Sequence, residues 1–498
     1  VQRESQSQNR RLDRISRGPL TWLRASTRGC CRRQICAPGS IVSHRLLVST
    51  LALCTTLTLA AQTVPQTATA PATPQPISKT PPNHPDDVAG IPVNYDETKV
   101  GAYTLPDALV LSDGTPVTTT KQWETKRRPE IVRLFETQQF GIAPGRPTGL
   151  TFDVFDAGTP ALNGKAIRKQ VMIWFNGKPK DGEKPGPHIQ LLEYVPAAKF
   201  AAHKPAPMLL SINFGVAQNA ADDPGIKPEQ VWDPKTNTRV DAAAGRNFGK
   251  LNTDALLDAG IGIATFYYGD VDPDYVGGFS NGIRATNLKS QTDRPGDAWG
   301  TIAAWSWGMS RVQDYFETDK AVDAKRVAIH GISRLGKTAL WAGAHDQRFA
   351  AVIASCSGEG GAAISRRNYG ETIAHMTAPS RYPYQFAANW ARYSGFPDTA
   401  PMDANLLVAL VAPRPLLLQT GDTDFWSDPK GEFLSAVAAG PVWKLYGKQD
   451  LGTTTMPQAK EAILHDLSYE MHDGGHGMVP SDWNVYVDFL KMHLHPER

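Results

Sequence analysis

Ser333, His476 and a group of carboxylates around residue 424 are the residues of this chain whose types and settings could carry out acyl transfer. The serine lies in Arg326-Val327-Ala328-Ile329-His330-Gly331-Ile332-Ser333-Arg334-Leu335-Gly336-Lys337-Thr338-Ala339-Leu340. An apolar run, then Gly-x-Ser-x-x-Gly, then a helical pattern reads as a buried strand turning sharply into a helix. The serine is strained at the turn and the glycines allow strand and helix to approach closely. Its hydroxyl would stand at the carboxyl edge of a sheet, near a helix N-terminus whose N–H groups stabilise a developing oxyanion. A serine that merely caps the helix is the alternative reading.

A serine on such a turn is followed along the chain first by its acid and then by its histidine. Met471-His472-Asp473-Gly474-Gly475-His476-Gly477 supplies the base, because glycines on either side of His476 make a tight loop that can swing an imidazole. His472 reads as a neighbour, and His493 and His495 fall on a terminal helix. For the acid, Leu416-Leu417-Leu418-Gln419-Thr420-Gly421 is a buried strand that breaks and then offers Asp422, Asp424 and Asp428. Asp424 is the choice, to orient the imidazole and stabilise its cation. Asp422 can satisfy turn N–H groups, Asp428 can cap the helix after Pro429, and Glu359 in Ser357-Gly358-Glu359-Gly360-Gly361 is the rival acid.

Apolar runs that alternate with helices must position these groups. Met208 to Phe214, Ile261 to Phe266, Arg326 to His330, Ala351 to Ser355 and Pro415 to Gln419 read as strands buried on both faces of a parallel sheet. Lys169 to Phe175 and His188 to Tyr194 alternate as half-buried strands. Helices are expected at Trp123 to Gln139, Asp297 to Phe316 with Asp297 as N-cap, and Lys337 to His345. The sum is an α/β sheet with helices on both sides.

The chain has 498 residues and a formal charge of +3. Residues 1–61 hold ten Arg, no Lys and two acids, a net of +8, so residues 62–498 carry −5. A mildly acidic body argues against a nucleic-acid partner. Four of the five cysteines also fall in this leader, so Cys356 has no disulfide partner in the body and zinc-type C-x-x-C spacing is absent there. Leu46 to Ala61, apolar behind Arg45 and closed by small residues, has the layout of a secretory signal, with an uncleaved anchor as the alternative. Residues 1–44 exceed an ordinary n-region, read as upstream sequence and are expected to contribute no fold. Residues 62–87, rich in Thr, Pro, Ala and Gln, read as a linker, leaving 88–498 as one catalytic domain.

Several ordered motifs together resemble the glucuronoyl esterases, carbohydrate esterases that cleave the ester between glucuronic acid on xylan and lignin alcohols. They are Gly331-Ile332-Ser333-Arg334-Leu335-Gly336-Lys337, Tyr267-Tyr268-Gly269-Asp270-Val271-Asp272-Pro273-Asp274, the Ser357 to Gly361 loop, Tyr382-Pro383-Tyr384-Gln385-Phe386, Asp424-Phe425-Trp426-Ser427-Asp428-Pro429 and Gly474-Gly475-His476. The resemblance spans roughly residues 90 to 495 and implies an α/β-hydrolase fold, a three-layer sandwich around a mostly parallel sheet. It implies Ser333 as nucleophile, His476 as base and Arg334 over the oxyanion. Lys337, Glu371 and Trp426 become sugar ligands, with no metal and no cofactor. In one respect the chain departs from the family. Many members place the catalytic Glu just before Ser-Gly-x-Gly-Gly, where this chain has Cys356, whereas some bacterial members resemble it in placing the acid after the later strand, as Asp424 stands.

The expected substrate, a glucuronoxylan or lignin-carbohydrate ester, becomes an anion on hydrolysis, which suits Arg334 and Lys337 beside the serine. Surface charge on a helix face is the bland alternative for both. The resulting expectation is a secreted or periplasmic serine esterase, monomeric and free of the membrane once the signal is cleaved. The alternatives are another carbohydrate esterase, such as an acetyl xylan esterase, or a non-catalytic glycan-binding homologue.

Overall fold

The computed structural model describes residues 84–243 and 250–497. The leader over 1–61 and the linker as far as residue 83 lie outside the described residues. One sheet organises the rest. Its strands are β1 (Thr151–Ala161), β2 (Ala166–Trp174), β3 (His188–Pro196), β4 (Ala206–Asn213), β5 (Gly262–Tyr267), β6 (Val322–Ile332), β7 (Ala351–Ser355), β8 (Leu416–Gly421), β9 (Ala462–Ile463) and β10 (Leu467–His472). They lie in the order β9-β10-β8-β7-β6-β4-β5-β3-β2-β1. From β10 to β5 neighbouring strands run parallel, and the flanking pairs on both edges are antiparallel.

The apolar runs are continuous because both sheet faces are covered. Leu416 and Leu418 of β8, Val327 and Ile329 of β6, and Val352 and Ala354 of β7 enter one core; Leu417, Ala328, Ala351 and Ile353 enter the other. This is the strand period of two written wholly in hydrophobic residues. Helices α1 (Arg128–Gln138), α2 (Thr301–Phe316), α3 (Arg334–His345) and α4 (Pro429–Leu445) cover the first face, through side chains such as Phe135, Trp305, Leu340 and Trp443. Helix α5 (Asp482–Leu494) covers the second with Trp483, Tyr486, Phe489, Leu490 and Leu494. Each fully buried Val, Leu or Ile on this pattern contributes about 1.5–3 kcal/mol, so both layers are tightly held to the sheet.

Several elements differ from the sequence expectation for physical reasons. Helix α2 begins at Thr301 with Gly300 as its N-cap, not at Asp297. Its first N–H groups are satisfied from outside, since Thr301 donates to the Tyr384 carbonyl and Ile302 to that of Gln385, so no side-chain cap is needed. The helix expected at 123–139 starts earlier, at Thr120, where Thr119 and Gln122 form a capping box. A wide turn over Trp123–Arg127 then leads into α1. Strand β10 escapes pattern reading because Ser468 and Glu470 are buried, so Leu-Ser-Tyr-Glu-Met-His looks half-exposed when it is covered on both faces. A separate hairpin pairs Gln230–Asp233 with Thr238–Asp241.

Candidate active site

The turn from β6 to α3 puts Ser333 at φ 60°, ψ −127°, a left-handed conformation that strains any residue with a Cβ. The glycines make the turn possible. A Cβ on Gly331 would lie 2.1 Å from the Leu335 carbonyl oxygen, and one on Gly336 would lie 2.5 Å from that of Ser355. The Ser333 N–H donates to the Ser355 carbonyl at 2.8 Å, tying the turn to β7. Arg334 is the first residue of α3, so its backbone N–H belongs to the positive end of the helix and has no place in the intrahelical ladder.

His476 sits on the glycine loop after β10. Its Nδ1 is 2.7 Å from Asp424 Oδ2 and 3.2 Å from Ser427 Oγ. An Nδ1–H donated to the carboxylate leaves Nε2 as the basic nitrogen. Asp424 is buried, with 3% of its side chain exposed, while the imidazole is 39% exposed, so the carboxylate is dry and the imidazole open to solvent.

The other carboxylates have separate tasks. Asp422 Oδ1 accepts from the Gly474 N–H at 2.9 Å and holds the histidine loop. Asp428 caps α4 through the Gly431 N–H and takes the Arg367 guanidinium at 2.8 Å. Glu359 accepts from Ser365 Oγ at 2.6 Å, and burial pushes its carboxyl well above the usual range. Cys356 lies beside Asp424 and His476. Its thiol donates to the Gly477 carbonyl at 3.4 Å and accepts from the Gly477 N–H at 3.5 Å, and burial raises its pKa. Its sulfur, an Asp424 oxygen and a His476 nitrogen all lie within 4.8 Å of one another.

Two other histidines near these strands are structural. His330, on β6 just before the turn, is wedged between Ser211 Oγ at 2.9 Å and Ser355 Oγ at 3.4 Å, and burial lowers its pKa to about 3, keeping it neutral. His472 meets Asp482 at 3.1 Å and the Gly475 carbonyl at 2.9 Å. Burial works against its charge, but these two acceptors prevail and its pKa is raised.

On the far side of Ser333, Arg334 Nη1 is 2.5 Å from Asp274 Oδ2, and its guanidinium lies over the Tyr382 ring with 4.5 Å to the centroid. Asp274 also accepts from Tyr384 OH at 3.1 Å and Gln385 Nε2 at 2.6 Å. Its loop is stapled twice more, by Arg239 on Asp270 at 2.8 Å and Arg284 on Asp272 at 2.9 Å. Lys337 is buried one turn along α3 with Nζ 4.0 Å from Glu371 Oε2; burial lowers its pKa, an effect Glu371 opposes. Arg381 Nη2 holds the other oxygen, Oε1, at 2.8 Å. The Glu371 N–H donates to the Trp426 carbonyl at 2.8 Å, so the carboxylate and the indole share one backbone junction.

The structure thus groups Ser333 with Arg334 and Lys337 on one turn, His476 with Asp424, and Glu371 with Trp426 and Lys337. Asp274, Arg381, Tyr382 and Ser427 also contact these groups and carry little local sign of a role, although Asp274 and Tyr382 lie in the motifs given above. A buried strand followed by three aspartates at alternate positions was the available signal for Asp274.

A mostly parallel sheet, helices on both faces and a strained serine between β6 and α3 define an α/β-hydrolase fold. Residues 290–447 match a family described as glucuronyl esterase, fungi. The chain is 41% identical over 412 residues to the carbohydrate esterase MZ0003 of an unknown prokaryotic organism, covering 80% of this chain and 92% of that protein. The structure of the glucuronoyl esterase from Solibacter usitatus matches with a TM-score of 0.74 at 44% identity, over 80% of this chain and 99% of that one. A promiscuous CE15 esterase from a marine bacterial metagenome matches at 0.71 and 40% identity, over 80% and 100%. The chain belongs to the glucuronoyl esterase family, CE15.

Proposed function

We propose that the protein is a serine esterase that hydrolyses esters of glucuronic or 4-O-methyl-glucuronic acid, such as those joining glucuronoxylan to lignin alcohols. The observation that carries this reading is the short hydrogen bond between His476 and buried Asp424, on loops that follow the adjacent parallel strands β10 and β8, with only β7 between β8 and β6, the strand that ends in strained Ser333. His476 takes the Ser333 proton as the hydroxyl attacks the ester carbonyl, and the imidazolium returns it to the departing alcohol. Water, deprotonated by the same histidine, then releases the uronate. The oxyanion is met by the Arg334 guanidinium and the N-terminal end of α3. Lys337 and Glu371 offer a donor and an acceptor for sugar hydroxyls, and half-buried Trp426 offers a flat apolar face.

A dedicated acid for His476 favours catalysis over glycan binding alone. Discrimination from an acetyl esterase rests on Lys337 and Glu371, which only a uronate ester would engage. Two measurements test the reading. Purified enzyme should turn over benzyl glucuronate, and Ser333→Ala should abolish that turnover; failure of either sinks it. Loss of Lys337 or Glu371 should slow hydrolysis of uronate esters and not of acetyl esters.

The same reading places the leader (1–61) and linker (62–87) ahead of a monomeric catalytic domain (88–498) that is exported to the periplasm or beyond. Among the described residues no helix is long and apolar enough to cross a membrane. Mass spectrometry of the N-terminus of exported protein tests the export step, with cleavage expected close to Ala61.

A further inference from the structure

Glu371 stands between two cations at unequal distances. Arg381 Nη2 is 2.8 Å from its Oε1, whereas Lys337 Nζ is 4.0 Å from its Oε2, too far for a hydrogen bond. Both the carboxylate and the lysine are buried, with 8% and 5% of their side chains exposed. A Lys–Glu pair this dry would ordinarily close to hydrogen-bond distance, because the attraction grows steeply as water is excluded. Arg381 opposes that closure. Its guanidinium is fixed by more than the carboxylate, lying 5.3 Å from the Trp426 ring centroid and 5.0 Å from that of Tyr382. Trp426 is braced in turn by His375, ring to ring at 5.3 Å, and Tyr382 by Arg334 on its own account.

We propose that Arg381 is a positioning residue that holds Glu371 off Lys337, so that the lysine keeps its N–H donors, and the glutamate its Oε2, for the hydroxyls of a uronate sugar. The proposal rests on the uronate-ester reading above and adds a residue that touches no reacting atom. Without Arg381 the carboxylate swings onto Lys337, the two sugar ligands satisfy each other, and the substrate must break their pairing to bind. The cost falls on ground-state and transition-state binding alike, so it appears in KM.

Arg381→Gln should raise KM for methyl glucuronate by about tenfold, the equivalent of ~1.4 kcal/mol, with kcat held within about threefold. Arg381→Lys, which restores a cation without the planar fork, should recover part of that loss. In a Glu371→Gln background, the Arg381→Gln change should raise KM little further, because the carboxylate it restrains is gone. A crystal structure of R381Q should show the Lys337–Glu371 gap closed to hydrogen-bond distance, a readout independent of any substrate. An unchanged gap overturns the proposal, as does an equal loss in the presence and absence of Glu371. A fall in kcat at constant KM would overturn it too. Absence of turnover by the wild type would instead remove the uronate-ester reading, while the crystallographic arm would still decide whether Arg381 holds the pair apart.

Discussion

Asp424→Asn isolates the charge of the acid at nearly constant shape. His476 becomes a cation when it takes the serine proton, and the carboxylate that meets it is 2.7 Å from Nδ1. With the charges centred about 4 Å apart, the attraction is ~4 kcal/mol at an effective dielectric of 20 and ~1 kcal/mol in water. Here the acid is buried and the imidazole partly open, so the value lies between, about 2–3 kcal/mol, which at 1.36 kcal/mol per decade lowers kcat by about 30- to 200-fold. An asparagine NH2 facing Nδ1 would also select the wrong imidazole tautomer and deepen the loss towards ~10⁴-fold. The assay is kcat on benzyl glucuronate at neutral pH, with thermal melting to establish that the fold is intact. A folded variant that loses less than about threefold would show that Asp424 is not the acid. Adding Cys356→Glu to this variant gives a second reading of the same geometry, since the sulfur lies within 4.8 Å of both partners. A carboxylate built there should return about tenfold of the lost rate, because it can meet the imidazolium from a neighbouring direction.

Asp274→Asn should cut kcat by about 10- to 100-fold with KM nearly unchanged, because Arg334 loses the ion pair that aims it and steady-state kinetics would report the loss in the chemical step. Gly331→Ala should be destabilised by at least ~2 kcal/mol in urea, since its Cβ would lie 2.1 Å from the Leu335 carbonyl oxygen, backbone that cannot move without opening the turn. Glu432 gives a pH test. Burial lifts its carboxyl to about 8, an effect that the Gly358 N–H opposes and the charge of Asp424 assists. Its folded-state pKa exceeds the unfolded one, so the folded protein holds the proton more tightly and stability falls as pH rises from about 4.5 to about 8. Glu432→Gln should remove that slope and be more stable than wild type at pH 8 by on the order of 4 kcal/mol, with little difference at pH 4.5 in denaturant melts.

The nucleophile, base and acid candidates were legible because each rests on local chemistry. Glycines beside a serine at a strand-to-helix turn, glycines around a histidine and an aspartate past a broken strand all act within a few residues of themselves. The central strands were legible for a related reason, since two covered faces leave no polar alternation to confuse the period. Strand β10 was hidden by buried Ser468 and Glu470, whose partners lie elsewhere in the fold. The start of α2 was hidden because its cap is another chain segment's backbone. The residues that aim the site depend on pairings no single stretch reveals: Arg334 reaches Asp274 across 60 positions, and Arg367 reaches Asp428 across 61.

Asp270, Asp272 and Asp274 show what such pairings do. At alternate positions they would share one face of a strand, where three like charges repel. The chain leaves the sheet at Tyr267 and turns through Tyr268–Asp270, which sends the three carboxylates to Arg239, Arg284 and Arg334 in turn. The first staple joins the loop to the outer hairpin, and the second is fully buried beneath it. The third reaches Arg334, the residue after Ser333. The buried Asp272–Arg284 pair gives the loop the rigid base from which Asp274 holds the Arg334 guanidinium, so loosening Asp272, whose carboxyl is pushed up by burial against the pull of Arg284, should disturb the proposed chemistry through Arg334 without touching the site. The aspartate run is therefore best understood as a graded anchor, fixed at depth and holding one guanidinium beside Ser333.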